Sequence, residues 1–173
     1  MKIGKKKGGF SLIELMVVIV IMGILAAVAV PKLFGHMAKA KASEVYSAAG
    51  TYIALQDAFN TEYQESIGSW GQIGYTMPET NNFAYYEVNT KGGDPGKNSV
   101  SVETGKEAAW KAVSRVPLNE CVTGSVWQID IKKSKDYNLV YEVGITDGPN
   151  GNCGVLTTNF GALSTINHIA LSL

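Results

Sequence analysis

The sequence predicts an α+β fold, in which one long N-terminal helix precedes an antiparallel β-sheet. Two observations lead to this prediction. Residues 10–65 contain a single proline and many helix-forming residues, whereas residues 99–146 contain short segments that alternate apolar and polar side chains. The first feature is typical of a helix, and the alternation is typical of β-strands. Because the helix comes first and the strands follow together, we expect a helix packed on a sheet. With 173 residues, the chain has room for one modest domain and an anchor.

An apolar run near the N-terminus is long enough to approach the thickness of a membrane. The 16 residues from Leu15 to Val30 carry no charge, and as a helix they would span about 24 Å. Residues 10–13 and those after Pro31 extend the run to the roughly 20 residues that a bilayer requires. The run is preceded by four lysines, Lys2, Lys5, Lys6 and Lys7. Basic residues stay on the cytoplasmic side, so the C-terminal bulk of the chain should face outward.

Glu14 is the only ionisable side chain between Phe10 and Pro31. A charge at the centre of a membrane costs about 2.5–3.5 kcal/mol, less near an end, and usually has a partner. A secretory signal cleaved near "ILAAVAV" is one alternative for this segment, and an uncleaved signal anchor is another. Neither explains Glu14, unless its side chain simply reaches the membrane interface.

The segment formed by Gly9, Phe10, "SLIE" and "LMVVIVIMGILAAVAVP" resembles the N-terminus of type IV pilins. The resemblance is dense over about 30 residues and implies the pilin fold, with an apolar first half of the helix. It implies that a prepilin peptidase cuts between Gly9 and Phe10 and that the new amine of Phe10 is N-methylated. It also implies that Glu14 pairs with the Phe10 amine of a neighbouring subunit. Such a pair selects one axial register between subunits rather than adding much net stability.

Gly23 and Pro31 stand where pilins often have a glycine and a proline. Proline lacks an amide proton and clashes with the preceding turn, so it kinks or loosens a helix. By resemblance, the segment between these two residues would lose helical order in a filament and allow it to stretch. A simple kink is the alternative.

An apolar face continues along the second half of the helix, beyond Pro31. Its members, at alternating spacings of four and three, are Ala38, Ala42, Val45, Ala49, Tyr52, Gln56, Phe59 and Tyr63. This spacing predicts one helix face packed on the sheet, and it is too rich in alanine and glutamine to favour a coiled coil. Residues 10–31 and 32–67 are thus expected to be two halves of one helix, after a leader at residues 1–9.

The rest of the chain is expected to form a connecting loop at residues 68–98 and a sheet region at residues 99–173. Strands are predicted at "FAYYEV" (83–88), "SVSVE" (99–103), "SVWQIDIKK" (125–133) and "NLVYEVGIT" (138–146), and "AAWKAVSRV" (108–116) favours a strand over a short helix. Cys121 and Cys153 suit a disulfide in an exported chain, with two free thiols as the alternative. In pilins, a region bounded by such a disulfide often faces outward.

Three further motifs were considered: a calcium site, a phosphate loop and a catalytic site. Asp147, Asn150 and Asn152 offer oxygen ligands of the kind calcium takes, but no acidic residue closes the loop, and a glycine-rich turn is the default. "KGGDPGK" lacks the spacing of a phosphate loop. No nucleophile, base and orienting group occur as a set, so we expect neither an enzyme nor a cofactor.

Outside the four leading lysines, 11 basic and 15 acidic residues give a net charge of −4, which argues against nucleic-acid binding by bulk charge.

Four aromatic residues in or near the predicted connecting loop have two interpretations: they stack against glycans on the surface, or they fill the hydrophobic core. The candidates are Trp70, Tyr75, Tyr85 and Tyr86, and the core is the simpler interpretation.

The sequence therefore predicts a structural protein: a prepilin held in the inner membrane, processed and polymerised by a pilus assembly machinery into an extracellular helical homopolymer. Adhesion, motility and DNA uptake are uses that the resemblance allows. Two alternatives stay open. A pseudopilin of a type II secretion system shares the leader and the helix, whereas a membrane-anchored binding domain would keep Met1 and would not self-assemble.

Overall fold

A computed structural model describes residues 9–63, 66–77, 80–87, 100–101, 107–119, 121–133, 139–146 and 153–164. At residues 66, 100, 101, 107, 108 and 133 the description is limited to the backbone. The chain divides into two compact units, Met1–Met37 and Ala38–Leu173. Residues 1–8 of the predicted leader, and residues 78–79 and 88–98 of the predicted connecting loop, lie outside the described residues.

One helix, α1, dominates the N-terminal part of the chain and extends from Leu12 to Tyr63. It includes Pro31 without a break in helical assignment. The amphipathic half is shorter than the predicted 32–67, because residues 66 and 67 form a strand instead. The backbone of residues 66 and 67 forms hydrogen bonds with residues 100 and 101 instead of continuing the helix. Sequence periodicity does not reveal this pairing.

The sheet of the second unit has four antiparallel strands in the order β2–β4–β5–β6. Their bounds are Phe83–Glu87, Glu107–Ser114, Val126–Lys133 and Leu139–Thr146. A separate two-stranded sheet pairs β1 (Ser66–Ile67) with β3 (Val100–Ser101). The five predicted strand segments are therefore confirmed as strands, including the ambiguous one at 108–116, and β1 is an addition that the sequence did not suggest.

The face of α1 predicted to pack on the sheet is the buried one. Its buried residues are Ala38, Ala42, Val45, Ala48, Ala49, Tyr52, Gln56 and Phe59. Tyr63 was predicted on this face but is 46% exposed; it is the last helical residue, and its ring stacks on that of Phe59 at the end of the buried face. Trp110, Trp127 and Ile129 of the sheet are fully buried opposite this face and complete one apolar core.

Polar contacts fix the segment 66–77 against the helix. The buried amide of Gln56 donates to the carbonyl of Gly68 at 2.7 Å and accepts from the N–H of the same residue at 3.0 Å. Tyr75 donates its hydroxyl proton to the carbonyl of Ala48 at 3.1 Å and accepts from the indole of Trp110 at 3.1 Å. Each buried donor and acceptor among these has a partner, as burial requires.

Two tyrosine–carboxylate contacts join the sheet to the helix. Tyr85 donates to Glu44 at 2.7 Å, and Tyr141 donates to Asp57 at 2.7 Å. Burial raises the pKa of both tyrosines, and the adjoining carboxylates raise it further because they disfavour a phenolate. Both tyrosines are therefore neutral donors at physiological pH.

A disulfide joins Cys121 and Cys153, whose Cα atoms are 4.8 Å apart. Cys121 precedes β5, and Cys153 opens a short 3₁₀ helix after β6. The segment after the bridge is tied to the sheet, since the indole of Trp127 donates to the hydroxyl of Thr157 at 2.9 Å. The predicted bridge is thus present and closes the C-terminal region onto the sheet.

Candidate assembly site

The first turn of α1 carries the residues that the sequence singled out. The carbonyl of Ser11 accepts hydrogen bonds from the N–H groups of Glu14 and Leu15, at 3.1 and 3.3 Å. Ser11 thus occupies the N-cap position, and Glu14 is the third helical residue. The carboxylate of Glu14 turns back and accepts from the backbone N–H of Ser11, with Oε2 2.9 Å from the nitrogen. This is the back-reaching half of a capping box, which satisfies a donor that the helix itself leaves free.

The predicted cleavage bond lies directly before this turn. Gly9 and Phe10 are exposed and have no regular secondary structure, and the side chain of Phe10 is 87% exposed. Proteases bind extended segments more readily than helices, so this geometry suits cleavage. The structure does not test cleavage or methylation, and both stay predictions.

Phe10 and Glu14 are brought together on one side of the helix start. They line a shallow groove with Ile13, Val17 and Val18. The groove is almost entirely apolar apart from the carboxylate. A second hydrophobic segment could therefore lie in it with a cationic group near Glu14.

The surface beyond this groove is apolar and uncovered within the subunit. An 18-residue window of α1 is long and apolar enough to cross a membrane, and none of it is buried. Exposed apolar side chains of this segment include Leu15, Ile19, Met22, Leu25 and Val28. A contiguous apolar surface of this extent marks contact with a membrane or with other proteins.

Gly23 and Pro31 both lie within α1, with exposed positions. A Cβ added at Gly23 would meet nothing within 4 Å, so packing within the subunit does not require a glycine there. Loss of helical order between these two residues in a filament stays a prediction.

The calcium candidates Asp147, Asn150 and Asn152 lie outside the described residues. Among the residues that the structure does describe, no three His, Cys, Asp or Glu side chains lie close enough to hold a metal ion. Of the four aromatic candidates for glycan stacking, Tyr75 and Tyr85 are buried and Trp70 packs against the core, while Tyr86 is 50% exposed. The core interpretation of three of these residues agrees with their burial.

The contact between Ser11 and Glu14 was missed in the sequence, although its signal is present there. A serine followed three residues later by a glutamate, just before an apolar run, is the pattern of a capping box. The resemblance to pilins gives Glu14 a partner on another subunit, whereas the structure shows one within the chain as well.

Comparison with known proteins places this N-terminus in a defined class. Residues 4–30 match the family model of the prokaryotic N-terminal methylation motif. The class is therefore that of chains with a prepilin-type N-terminus.

Two relatives that align over longer stretches of the chain identify its family. The chain is 32% identical over 139 residues to the type IV major alpha-pilin of Moraxella bovis, and the alignment covers 73% of this chain and 87% of that relative. It is 37% identical over 86 residues to the type IV major pilin protein PilA of Myxococcus xanthus (strain DK1622), which covers 50% of this chain and 39% of the relative. The chain belongs to the type IV pilin family, and its long apolar helix packed on a four-stranded antiparallel sheet is the pilin fold.

A type II secretion system core protein G, from Dickeya chrysanthemi, is also similar. It is 33% identical over 85 residues, which cover 46% of this chain and 56% of that relative. No solved structure was found to match the chain.

Proposed function

We propose that this chain is the precursor of a structural subunit of an extracellular type IV pilus. The observation that supports this most is the uncovered apolar surface of α1, whose first turn presents a carboxylate beside Phe10. The kinship with major pilins over most of the chain supports the same function. The chain acts by assembling with its own copies rather than by catalysis.

Processing begins in the inner membrane, where α1 anchors the precursor and the four leading lysines keep the leader cytoplasmic. A prepilin peptidase hydrolyses the bond between Gly9 and Phe10, and water supplies the hydroxyl of the Gly9 carboxyl and a hydrogen of the Phe10 amine. N-methylation of that amine leaves it basic, so it remains an ammonium group. The mature chain then enters the filament through the pilus assembly machinery.

Assembly pairs the Phe10 ammonium of one subunit with Glu14 of its neighbour. Apolar side chains around this pair pack against one another and keep water away from it. An unpaired charge in that apolar surrounding is costly, so registers that leave Glu14 without its partner are disfavoured. The pair thereby sets the axial spacing of the subunits.

The second candidate is a pseudopilin of a type II secretion system, which the Dickeya relative supports. It would use the same leader, helix and carboxylate. It would form a short periplasmic structure, so the chain would not appear in filaments sheared from cells.

Mass spectrometry of sheared filaments tests the proposal. We expect their main protein to begin at Phe10 and to be heavier by one methyl group than the unmodified chain from Phe10. The same processed chain found in membranes alone would favour the pseudopilin, and an intact Met1 would contradict both candidates.

Gly9→Trp tests the cleavage position. A Cβ at Gly9 would meet nothing within 4 Å, so the larger residue should leave the subunit's own structure unchanged. We therefore expect the precursor to accumulate uncut because the peptidase cannot accept tryptophan before the bond. Mature mass at the normal level in this variant would contradict the assigned position.

A further inference from the structure

We propose that Ser11 is a positioning residue for the assembly carboxylate. Its backbone N–H holds Oε2 of Glu14 within each subunit and leaves Oε1 to receive the Phe10 ammonium of the neighbouring subunit. The first half of this inference concerns the subunit alone. The second half rests on the proposed function.

The geometry of the helix start carries the first half. The nitrogen of Ser11 is 2.9 Å from Oε2 of Glu14, within the range of a hydrogen bond between an amide and a carboxylate. The contact uses the backbone of Ser11, so its strength depends on the N–H and not on the serine hydroxyl. The side chain of Glu14 is thereby directed back over the first turn instead of extending freely.

A carboxylate can accept a second partner while it is bound to the N–H of Ser11. An ionised carboxylate has two oxygens with about four lone-pair positions, and one hydrogen bond to Oε2 leaves the others free. Both Glu14 and Phe10 are exposed in the subunit, so Oε1 can be approached from outside. A single carboxylate can therefore accept the N–H of its own chain and the ammonium of another at the same time.

Holding the side chain in place before the partner arrives favours assembly. A free glutamate must give up its rotamer freedom when it forms an ion pair, and this loss of entropy opposes pairing. In the capped subunit most of that freedom is already lost. Preorganisation of this kind increases affinity without any new contact between the partners.

The contact also explains how the precursor accommodates Glu14 before a neighbour is present. The N–H of Ser11 lies on the mature side of the bond between Gly9 and Phe10, so it exists before and after cleavage. Cleavage adds only the ammonium group of Phe10. The capping contact therefore forms first, in the precursor, and the pairing between subunits follows processing.

Amide hydrogen exchange of Ser11 tests the first half. The processed full-length chain is placed in detergent micelles, and exchange is followed by NMR for the wild type, Glu14→Gln and Glu14→Ala. Glutamine keeps an acceptor oxygen at the same position, whereas alanine removes it. We expect the Ser11 amide to exchange roughly tenfold more slowly in the wild type and in Glu14→Gln than in Glu14→Ala. Equal exchange in the wild type and Glu14→Ala would overturn the proposal.

Filament yield from Ser11 variants tests the second half. Ser11→Pro removes the N–H but keeps the charge of Glu14, and Ser11→Ala is the matched control because it keeps the N–H. The readout is the share of processed chain found in filaments, so a defect in cleavage does not enter the comparison. We expect Ser11→Pro to fall several-fold below Ser11→Ala. Equal shares would overturn the positioning role, whereas a wild type without filaments would contradict the proposed function and leave the exchange result standing.

Discussion

Glu14 is a carboxylate at the start of an apolar helix, with a hydrogen-bond donor in its own chain and an open oxygen. Under the proposed function, this residue decides which registers between neighbours are acceptable. We predict that Glu14→Ala is processed normally and yields at least tenfold fewer filaments. A tenfold factor corresponds to about 1.4 kcal/mol less free energy favouring the paired register. The measurement is the ratio of sheared filament protein to processed protein in membranes.

Glu62→Ala is the matched control for this prediction. Glu62 is an exposed glutamate near the other end of α1, in the second unit. Its loss should leave both processing and filament yield unchanged. Filaments at the wild-type level in Glu14→Ala would contradict the pairing role.

Gly68 lies against the buried face of α1, where it is hydrogen-bonded to Gln56. A Cβ there would approach Cγ2 of Ile73 to 2.5 Å and the ring of Phe59 to 3.2 Å. We predict that Gly68→Ala lowers the free energy of unfolding by about 1–3 kcal/mol, the usual cost of overpacking. Urea unfolding followed by tryptophan fluorescence measures this, because Trp70, Trp110 and Trp127 all belong to the second unit.

Gly71→Ala is the corresponding control for Gly68→Ala. Gly71 belongs to the same turn segment, and a Cβ there would meet nothing within 4 Å. Its unfolding should match that of the wild type within about 0.5 kcal/mol, as for other surface substitutions. If both variants lost the same stability, close packing at Gly68 would not be the cause.

At the scale of elements, the disulfide links the 3₁₀ helix that begins at Cys153 to the segment before β5. Cys121 and Cys153 are 32 positions apart in the chain. Closing a loop of this size in the unfolded chain is worth about 3–4 kcal/mol in the loop-entropy model. We predict that a variant with both cysteines changed to serine loses about this much stability.

The same unfolding measurement with a reducing agent provides the control for the disulfide. Reduction should bring the wild type close to the double serine variant and should have no effect on that variant. An unfolding midpoint of the double variant equal to that of the oxidised wild type would contradict a stabilising bridge.

Buried tyrosines join the helix to the sheet and make this junction sensitive to high pH. Burial raises the pKa of Tyr75 to about 12, whereas an unfolded tyrosine ionises near pH 10. Above about pH 10 the unfolded chain therefore releases protons that the folded chain retains, and the free energy of unfolding falls as pH rises. The contribution of Tyr75 is complete below pH 10 and is lost between about pH 10 and 12.

Tyr75→Phe tests this pH dependence. The variant lacks the hydroxyl that contacts Ala48 and Trp110, so we expect it to be less stable at pH 8. We also predict that its stability declines less than that of the wild type between pH 10 and 11.5. Parallel declines in urea midpoint for the two chains would show that Tyr75 does not contribute to the dependence.

At the scale of the whole molecule, the architecture was largely predictable because it depends on periodicity. The spacing from Ala38 to Phe59 defines a helix face, and alternation in segments such as "SVWQIDIKK" defines strands. The end of α1 and strand β1 were not predictable, since Ser66 pairs with Ser101 and Ile67 with Val100, which lie 35 and 33 positions later in the chain. Local sequence carries no record of such a partner.

The residues of the candidate site were easier to predict than the polar contacts of the core. Gly9, Phe10 and Glu14 were identified from a local motif, because an apolar run makes a single carboxylate conspicuous. The buried amide of Gln56 was placed correctly on the apolar face, but its two hydrogen bonds to Gly68 depend on the path of the chain 12 residues later. Polar groups in a core acquire their partners from tertiary structure, so their role becomes visible in three dimensions.

The processing we propose would also change the charge of the whole chain. The four leading lysines belong to the predicted leader, and without them the chain carries 11 basic and 15 acidic residues. A filament of such subunits would be acidic overall and would repel nucleic acid by bulk charge. In this proposal the basic leader orients the precursor in the membrane and is absent from the filament.

The most direct test of the central claim is a cryo-EM structure of filaments sheared from cells, at a resolution that shows side chains. We predict that the nitrogen of Phe10 in each subunit lies within about 3 Å of the Glu14 carboxylate of another subunit, as in a charge-assisted hydrogen bond. Filaments built from this chain in which every Glu14 carboxylate is far from any Phe10 nitrogen of a neighbour would contradict the claim.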